Sequence, residues 1–99
     1  MRPIHVGQLD KSRPVLVLTR ELVRAHLNTV TVAPITTTVR GLSSELLVGP
    51  ANGLDGQGVV ACDHITTVPA EALGRQIGYL LDEQEAELTG AIHAAFDLD

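Results

Sequence analysis

The chain has 99 residues, of which 44% are hydrophobic and 2% aromatic, so it predicts one small domain with an aliphatic core. Its formal net charge of −5 argues against a nucleic-acid partner, because phosphate binding needs positive surface. That total hides a division. Residues 1–40 carry six basic and two acidic side chains, whereas residues 41–99 carry one basic and ten acidic ones. The asymmetry indicates that one face meets a polyanion.

Other features of the composition exclude whole classes of protein. A single cysteine, Cys62, permits no internal disulfide, which favours a reducing cytoplasm over secretion. No apolar run approaches the roughly 20 residues of a membrane span, so we expect no membrane partner. The four histidines show no metal-ligand spacing, and the sequence therefore predicts neither a metal nor another cofactor.

The first half of the chain predicts three strands. Residues 4–9 alternate weakly and form the first, and residues 10–12 are a short polar turn. A continuous aliphatic run over 14–19, opened by a proline, is typical of a buried strand. Residues 20–28 form one helical turn or a loop, and residues 29–35 alternate as the clearest strand.

The second half predicts strands over 45–48, 59–68 and 75–81, with dense turn signals over 49–58. The period then changes. Asp82 is the predicted N-cap of a helix, with Glu85 completing a capping box. An apolar stripe at helical spacing follows. Its members are Leu88, Ala91, Ile92, Ala95 and Phe96.

These elements predict a mainly β fold, with five or six short antiparallel strands and a C-terminal helix packed on them. A small, strongly curved sheet or barrel is the simplest arrangement. No repeat or boundary interrupts the chain, so residues 1–99 form a single domain.

The basic N-terminal half contains the side chains best suited to chemistry. Arg13 stands at the start of a buried strand, and the hydroxyl run of residues 36–38 stands at the end of another. If the two strands are neighbours, these donors converge at one end of the sheet, where they can bind a phosphate. An alternative is that Arg13 pairs with Asp10 and that the threonines reflect ordinary strand propensity. Cys62, inside a predicted strand, is interpreted as a structural thiol.

Four segments stand in a characteristic order along the chain. They are Arg-Pro-Val-Leu-Val-Leu at 13–18, Val-Thr-Val-Ala-Pro-Ile-Thr at 30–36, Val-Val-Ala-Cys-Asp-His-Ile-Thr-Thr-Val at 59–68 and Leu-Gly-Arg-Gln-Ile-Gly-Tyr-Leu at 73–80, and the closing helix follows. In this order they resemble the MazF/PemK family of toxin endoribonucleases, from about residue 4 to residue 98. The resemblance implies an SH3-like barrel, a homodimer, and a cytoplasmic toxin of a type II toxin–antitoxin system.

The resemblance also implies the catalytic pair, Arg13 and Thr36. The implied reaction is metal-independent cleavage of single-stranded RNA, in which the ribose 2′-OH attacks the adjacent phosphate. The products are a 2′,3′-cyclic phosphate and a 5′-OH. Arg13 suits stabilisation of the phosphorane charge, because its guanidinium presents a fork of donors and stays charged. Thr36 would hold a phosphate oxygen, and the general base is left open.

In one place the sequence departs from the family. Only residues 10–12 separate the first two strands, where most members carry a long loop over the active site, so base specificity is not transferred. The implied antitoxin covers the RNA groove with an acidic, partly disordered segment. Surface charge is the alternative for Lys11 and Arg40, and a structural role is the alternative for His64. The predicted RNA-binding residues are Lys11, Thr37, Arg40, Asp63 and His64.

A non-catalytic toxin of the same fold is the competing hypothesis. Such a protein would resemble the CcdB type, which binds and inhibits gyrase through a chain end that contains tryptophan. This chain has no tryptophan, which speaks against that alternative.

Overall fold

Seven antiparallel strands and two α-helices make up the computed structural model, which describes residues 1–98. The predicted architecture, a mainly β fold with a C-terminal helix, is confirmed. The elements in chain order are β1 (Pro3–Gln8), β2 (Ser12–Val17), α1 (Glu21–Arg24), β3 (Thr29–Thr36), β4 (Glu45–Val48), β5 (Gly58–Ala61), β6 (Thr66–Pro69), β7 (Leu73–Tyr79) and α2 (Glu85–Phe96). Short 3₁₀ turns lie at Pro50–Asn52, Cys62–His64, Ala70–Ala72 and Asp82–Gln84.

The strand order is β4-β5-β3-β2-β1-β7, and β6 also pairs with β3. The predicted strand over 59–68 is therefore two strands, separated by the turn at Cys62–His64. Both pair with β3, β5 at Ile35 and Thr36 and β6 along its first half. Pro34 lies between these two ladders and has no N–H to donate, which explains why the pairing is interrupted there.

The predicted barrel is an open sheet across residues 1–98, with β4 and β7 as the ends of the ladder path. The turn at Pro50–Asn52 packs against β7 instead. A Cβ atom on Gly53 would strike the carbonyl of Ile77, and one on Gly78 would strike the carbonyl of Asn52. Only glycine permits this close approach, so the turn covers an edge that a strand would otherwise occupy.

Both faces of the sheet are buried at its central strand β2. In β2, Val15 and Val17 point into a small cluster with Val30 and Val32, whereas Leu16 points to the larger cluster beneath α2. This burial on two sides explains why residues 14–19 are continuously apolar rather than alternating.

The C-terminal helix differs from its prediction at both ends. It begins at Glu85, and Asp82 is not its N-cap, because the Gln84 side chain accepts the Leu81 N–H at 2.9 Å instead. Leu88 and Ala91 are buried as predicted, but Phe96 is 54% exposed. At 100° per residue Phe96 lies about 80° around the helix from Leu88, at the margin of the apolar stripe. Among residues 1–98, no helix is long and apolar enough to span a bilayer.

Candidate active site

The pairing of β2 with β3 brings the two predicted catalytic side chains together. The register joins Val15 to Pro34 and Val17 to Val32. Continued by two residues, the same register sets Arg13 opposite Thr36 at the end of the sheet. Both side chains line one groove, as the sequence predicted for an arginine and hydroxyls on neighbouring strands.

This first groove lies between the ends of β2 and β3, the loop of residues 37–44 and the turn after β5. It contains five of the seven predicted site residues, namely Arg13, Thr36, Arg40, Asp63 and His64. Lys11 is exposed on the β1–β2 turn and lines neither this groove nor the next. Thr37 lines a second groove, beside the glycine-rich segment 53–58. The chain therefore gathers most, but not all, of the predicted set.

Arg13 has a partner and also spare donors. Its Nη2 lies 3.2 Å from Oδ1 of Asp10, so the local ion pair foreseen as an alternative is present. The Arg13 side chain is 24% exposed and that of Asp10 is 76% exposed. Within residues 1–98, Arg13 Nε is buried and has no hydrogen-bond acceptor. Because the Asp10 carboxylate is exposed, the pair contributes little stability, and it engages only Nη2 of the guanidinium, which leaves the Nη1 donors without a partner within residues 1–98.

Thr36 is held by its backbone and keeps its hydroxyl proton available. Its Oγ1 accepts the N–H of Thr38 at 3.2 Å, which leaves the O–H free to donate. Thr36 pairs with Val59 of β5. A Cβ atom on the preceding Gly58 would lie 2.6 Å from the Thr36 carbonyl oxygen, so glycine is required for this approach.

Glu45 shapes the loop that carries Arg40. Its Oε1 accepts the N–H of Arg40 at 3.1 Å and that of Leu42 at 3.1 Å. Gly41, with φ of 74°, makes the turn between them. The Arg40 side chain has no ion pair or hydrogen bond within residues 1–98, so its guanidinium is open to the groove. Sequence reasoning did not identify Glu45. Its signal is an acid at the start of a strand, just after a Gly-Leu-Ser-Ser turn.

Asp63 and His64 lie in the 3₁₀ turn that follows β5, and both are exposed. The turn is fixed by Ser44, whose hydroxyl donates to Asp63 Oδ2 at 2.5 Å and whose carbonyl accepts the Cys62 N–H at 3.1 Å. Across the described chain, no three acidic, histidine or cysteine side chains converge on a metal-sized site. Asp63 and two other acids share the groove with two arginines, so an anion in this groove would depend on specific donors rather than on net charge.

Cys62 is structural. It is fully buried, and burial raises the pKa of its thiol from its ordinary value of 9.0 to about 11, with the neighbouring Asp63 carboxylate adding to the shift. The nucleophilic thiolate is therefore disfavoured at neutral pH.

Comparison with known proteins shows the same family over almost the entire chain. Residues 3–96 match the PemK-like, MazF-like toxin of type II toxin-antitoxin system. The chain is 65% identical over 99 residues to Endoribonuclease MazF3 of Mycobacterium tuberculosis, covering 100% of this chain and 96% of that protein. It is 34% identical over 86 residues to the probable endoribonuclease MazF5 of the same organism, covering 86% of this chain and 79% of that protein.

Solved structures agree. The Mycobacterium tuberculosis toxin MazF-mt6 superposes with a TM-score of 0.97 at 64% identity, covering 99% of each chain. A mycobacterial endoribonuclease in complex with its cognate antitoxin superposes with a TM-score of 0.85 at 22% identity, covering 98% of this chain and 93% of that one. The chain therefore belongs to the family of PemK-like and MazF-like toxins of type II toxin–antitoxin systems.

Proposed function

We propose that this MazF-family endoribonuclease cleaves single-stranded RNA with the scissile phosphate held between Arg13 and Thr36. The observation that carries the proposal is that both side chains line one groove. There the Arg13 guanidinium has only Asp10 as a partner within residues 1–98, and the Thr36 hydroxyl is available to donate. Such preorganised donors stabilise the charge that develops on a phosphorane.

The reaction is an internal transesterification. The ribose 2′-oxygen forms a bond to the adjacent phosphorus and loses its proton to an acceptor in the groove. The bond from phosphorus to the 5′-oxygen breaks, and that oxygen takes up a proton. The RNA ends are a 2′,3′-cyclic phosphate and a 5′-OH, and no metal is needed for the balance.

Asp10 is the acceptor best placed for the 2′-OH proton. Its carboxylate contacts the Arg13 guanidinium at 3.2 Å and is otherwise exposed to the groove. Arg13 therefore binds the phosphate and also orients the Asp10 carboxylate, which acts as the general base. Arg40, with a free guanidinium, contacts a neighbouring phosphate. Asp63 and His64, on a tethered turn, read base edges and so contribute sequence preference. Lys11 and Thr37 contact the RNA backbone from outside the first groove.

RNA with and without a single 2′-deoxyribose tests the chemistry. Sequencing of the 5′-OH ends produced from total RNA first defines the cut site. A short RNA with that site is then incubated with the protein in EDTA, alongside the same RNA with 2′-deoxyribose at the cut. We expect the first to give a cyclic phosphate and the second to remain intact. Normal cleavage of the deoxy substrate would contradict the mechanism.

The proposal includes an antitoxin partner. A mycobacterial endoribonuclease of the same fold was solved with its cognate antitoxin, which supports a protein partner here. The groove's free guanidinium groups, at Arg13 and Arg40, would accept an acidic segment in place of RNA. We expect the acidic segment and RNA to compete for the protein, and we expect Arg40→Ala to weaken that competition. Simultaneous binding of both would contradict it.

We also propose that the protein is a cytoplasmic homodimer. RNA is a cytoplasmic substrate, and exposed apolar side chains lie close to the groove or at the end of α2. They are Val39, Leu42, Leu47, Phe96 and Leu98. Burial of such side chains is what a subunit interface requires. Sedimentation equilibrium at micromolar concentration is expected to give twice the chain mass, and a stable monomer would refute the dimer.

Similarity to named endoribonucleases favours RNA cleavage over the non-catalytic gyrase-binding alternative. We expect a preparation of the protein that cleaves RNA to leave gyrase uninhibited, which would support the endoribonuclease over the gyrase-binding alternative.

A further inference from the structure

We infer that the second groove binds the RNA on the other side of the scissile phosphate, with Arg75 as its phosphate contact. This inference rests on the proposed function. The second groove is bounded by the end of β2, the segment of residues 53–58 and the middle of β7. Neither composition nor motif spacing assigned a role to Arg75, the one basic residue of the C-terminal half.

The first observation is that the two grooves meet at the catalytic pair. Arg13 and Thr36 line both of them, and no other residue is shared. A phosphate held by this pair has a nucleotide attached on each side. If one nucleotide enters the first groove, the chain continues most directly into the second. An RNA strand that lies across the end of the sheet therefore occupies both.

The sheet places Arg75 within reach of the same strand of RNA. In the antiparallel ladders Gly7 of β1 is opposite Arg13 on one side and Leu73 of β7 on the other. Neighbouring strands are about 4.8 Å apart, so Arg13 and the start of β7 are separated by roughly 10 Å. Arg75 lies two residues farther along β7. It is exposed and makes no ion pair or hydrogen bond within residues 1–98.

The groove also offers groups that suit a nucleoside. Leu54 and Ile77 are half-buried and form an apolar floor against which a base can pack. The exposed Gln57 carries an amide that can donate to and accept from a base edge. One acid, Asp55, faces the groove and opposes the anion. The ligand class that fits is therefore a single nucleotide unit with one phosphate on Arg75.

The test compares Arg75→Ala with Arg20→Ala, which removes the same charge from an exposed arginine outside both grooves. Three RNA substrates share the cut site. The long substrate extends on both sides of the cut. Each of the two trimmed substrates ends at the cut dinucleotide on one side and extends only on the other side. We expect Arg75→Ala to raise KM about 3- to 10-fold on the long substrate with kcat unchanged. The dependence of log KM on log salt should become shallower by roughly one phosphate contact, a slope change of about 0.7.

The trimmed substrates locate the effect. The Arg75→Ala change should persist with one trimmed RNA and disappear with the other, because only one side of the cut enters the second groove. Asp55→Asn should lower KM on the same substrates that respond to Arg75→Ala, and Arg20→Ala should leave all three substrates unaffected. Thermal melting of each variant confirms that it is folded.

Two outcomes overturn the inference while wild-type cleavage leaves the proposed function intact. One is a KM for Arg75→Ala equal to that of Arg20→Ala on the long RNA. The other is the same Arg75→Ala effect with both trimmed RNAs. If the wild type cleaves nothing, the proposed function fails, and fluorescence anisotropy with labelled RNA then decides the inference separately. Equal Kd values for Arg75→Ala and Arg20→Ala overturn it, and weaker binding by Arg75→Ala alone supports it.

Discussion

Two polar clusters at different places on the sheet use their hydrogen bonds in opposite ways. At the edge beside β7, the Asn52 side chain is 2% exposed and fully engaged. Its Nδ2 donates to the Tyr79 carbonyl at 2.9 Å and to Gln84 Oε1 at 2.6 Å, and its Oδ1 accepts the Gly49 N–H at 3.1 Å. At the end of β2, Arg13 keeps a buried Nε without an acceptor in the described chain.

Under the proposed function, the difference separates a structural cluster from a binding site. A buried polar group that is fully satisfied holds elements in place, here the Pro50–Asn52 turn, β7 and the start of α2. A half-buried cation with unused donors gains its best partners only when an anion arrives. Substitutions at the first cluster should therefore lower stability without touching chemistry, and those at the second should do the reverse.

Arg13→Ala should produce the largest effect on activity. We expect kcat to fall about 10³-fold, at the upper end of what a lost transition-state donor costs. The free energy of unfolding should change by less than about 1 kcal/mol, because the Asp10 carboxylate that pairs with Arg13 is exposed. Single-turnover cleavage and urea denaturation measure the two quantities. Arg13→Lys keeps the charge but not the fork of donors, and its kcat should lie between those of the wild type and Arg13→Ala. A large loss of stability with retained kcat would show that Arg13 has a structural role, as Asn52 has, and would contradict the prediction.

Thr36→Val should lower kcat about 10²-fold, since it removes one donor and keeps the shape of the side chain. It also removes the acceptor for the Thr38 N–H, so Thr36→Ser is the matched control that restores both roles. Recovery of most of the activity by serine supports a hydroxyl contact with the phosphate. Equal kcat for the valine and serine variants would remove Thr36 from the site.

Asn52→Ala should destabilise the fold by about 3 kcal/mol, because it leaves buried partners without hydrogen bonds. The activity per folded molecule should stay close to that of the wild type. Urea denaturation gives the first quantity, and cleavage rates well below the melting temperature give the second. Asn52→Asp, which keeps an acceptor for Gly49 but loses both donors, should also be destabilising. A stable Asn52→Ala protein with impaired cleavage would show that the two clusters are coupled.

The burial of Cys62 in the larger core cluster predicts a pH dependence of stability. Burial raises its pKa from 9.0 to about 11 in the folded protein. Below pH 9 both states keep the proton, so the thiol causes no change. Between these values only the unfolded state loses it, and stability falls by roughly 2–3 kcal/mol as the pH rises. Cys62→Ala should flatten this part of the profile, as followed by urea denaturation. An unchanged alkaline slope would contradict the assignment.

The sequence predicted the β fold and the convergence of Arg13 with Thr36, because both depend on local patterns and on the pairing of consecutive strands. It did not predict the division of 59–68 into β5 and β6, which follows from Pro34 on a different strand. It missed Glu45 as the anchor of the Arg40 loop, since an acid after a Gly-Leu-Ser-Ser turn does not by itself show which backbone N–H groups its carboxylate accepts. It also assigned the helix cap to Asp82, although Gln84 satisfies the Leu81 N–H through a tertiary network with Asn52.

The smallest expected effect belongs to a third kind of polar contact, one that is paired but exposed. Arg2 Nε lies 3.0 Å from Glu85 Oε2, with the two side chains 34% and 44% exposed. Glu85→Gln keeps the acceptor and removes the charge, and we expect it to cost less than about 1 kcal/mol. The loss should shrink as salt is raised, because exposed charges are screened. Urea denaturation at low and high salt measures this, with Glu87→Gln on the same helix as control. A loss of stability as large as that of Asn52→Ala, and unchanged by salt, would contradict the prediction. It would mean that burial and the number of satisfied hydrogen bonds do not determine how much each polar contact stabilises the fold.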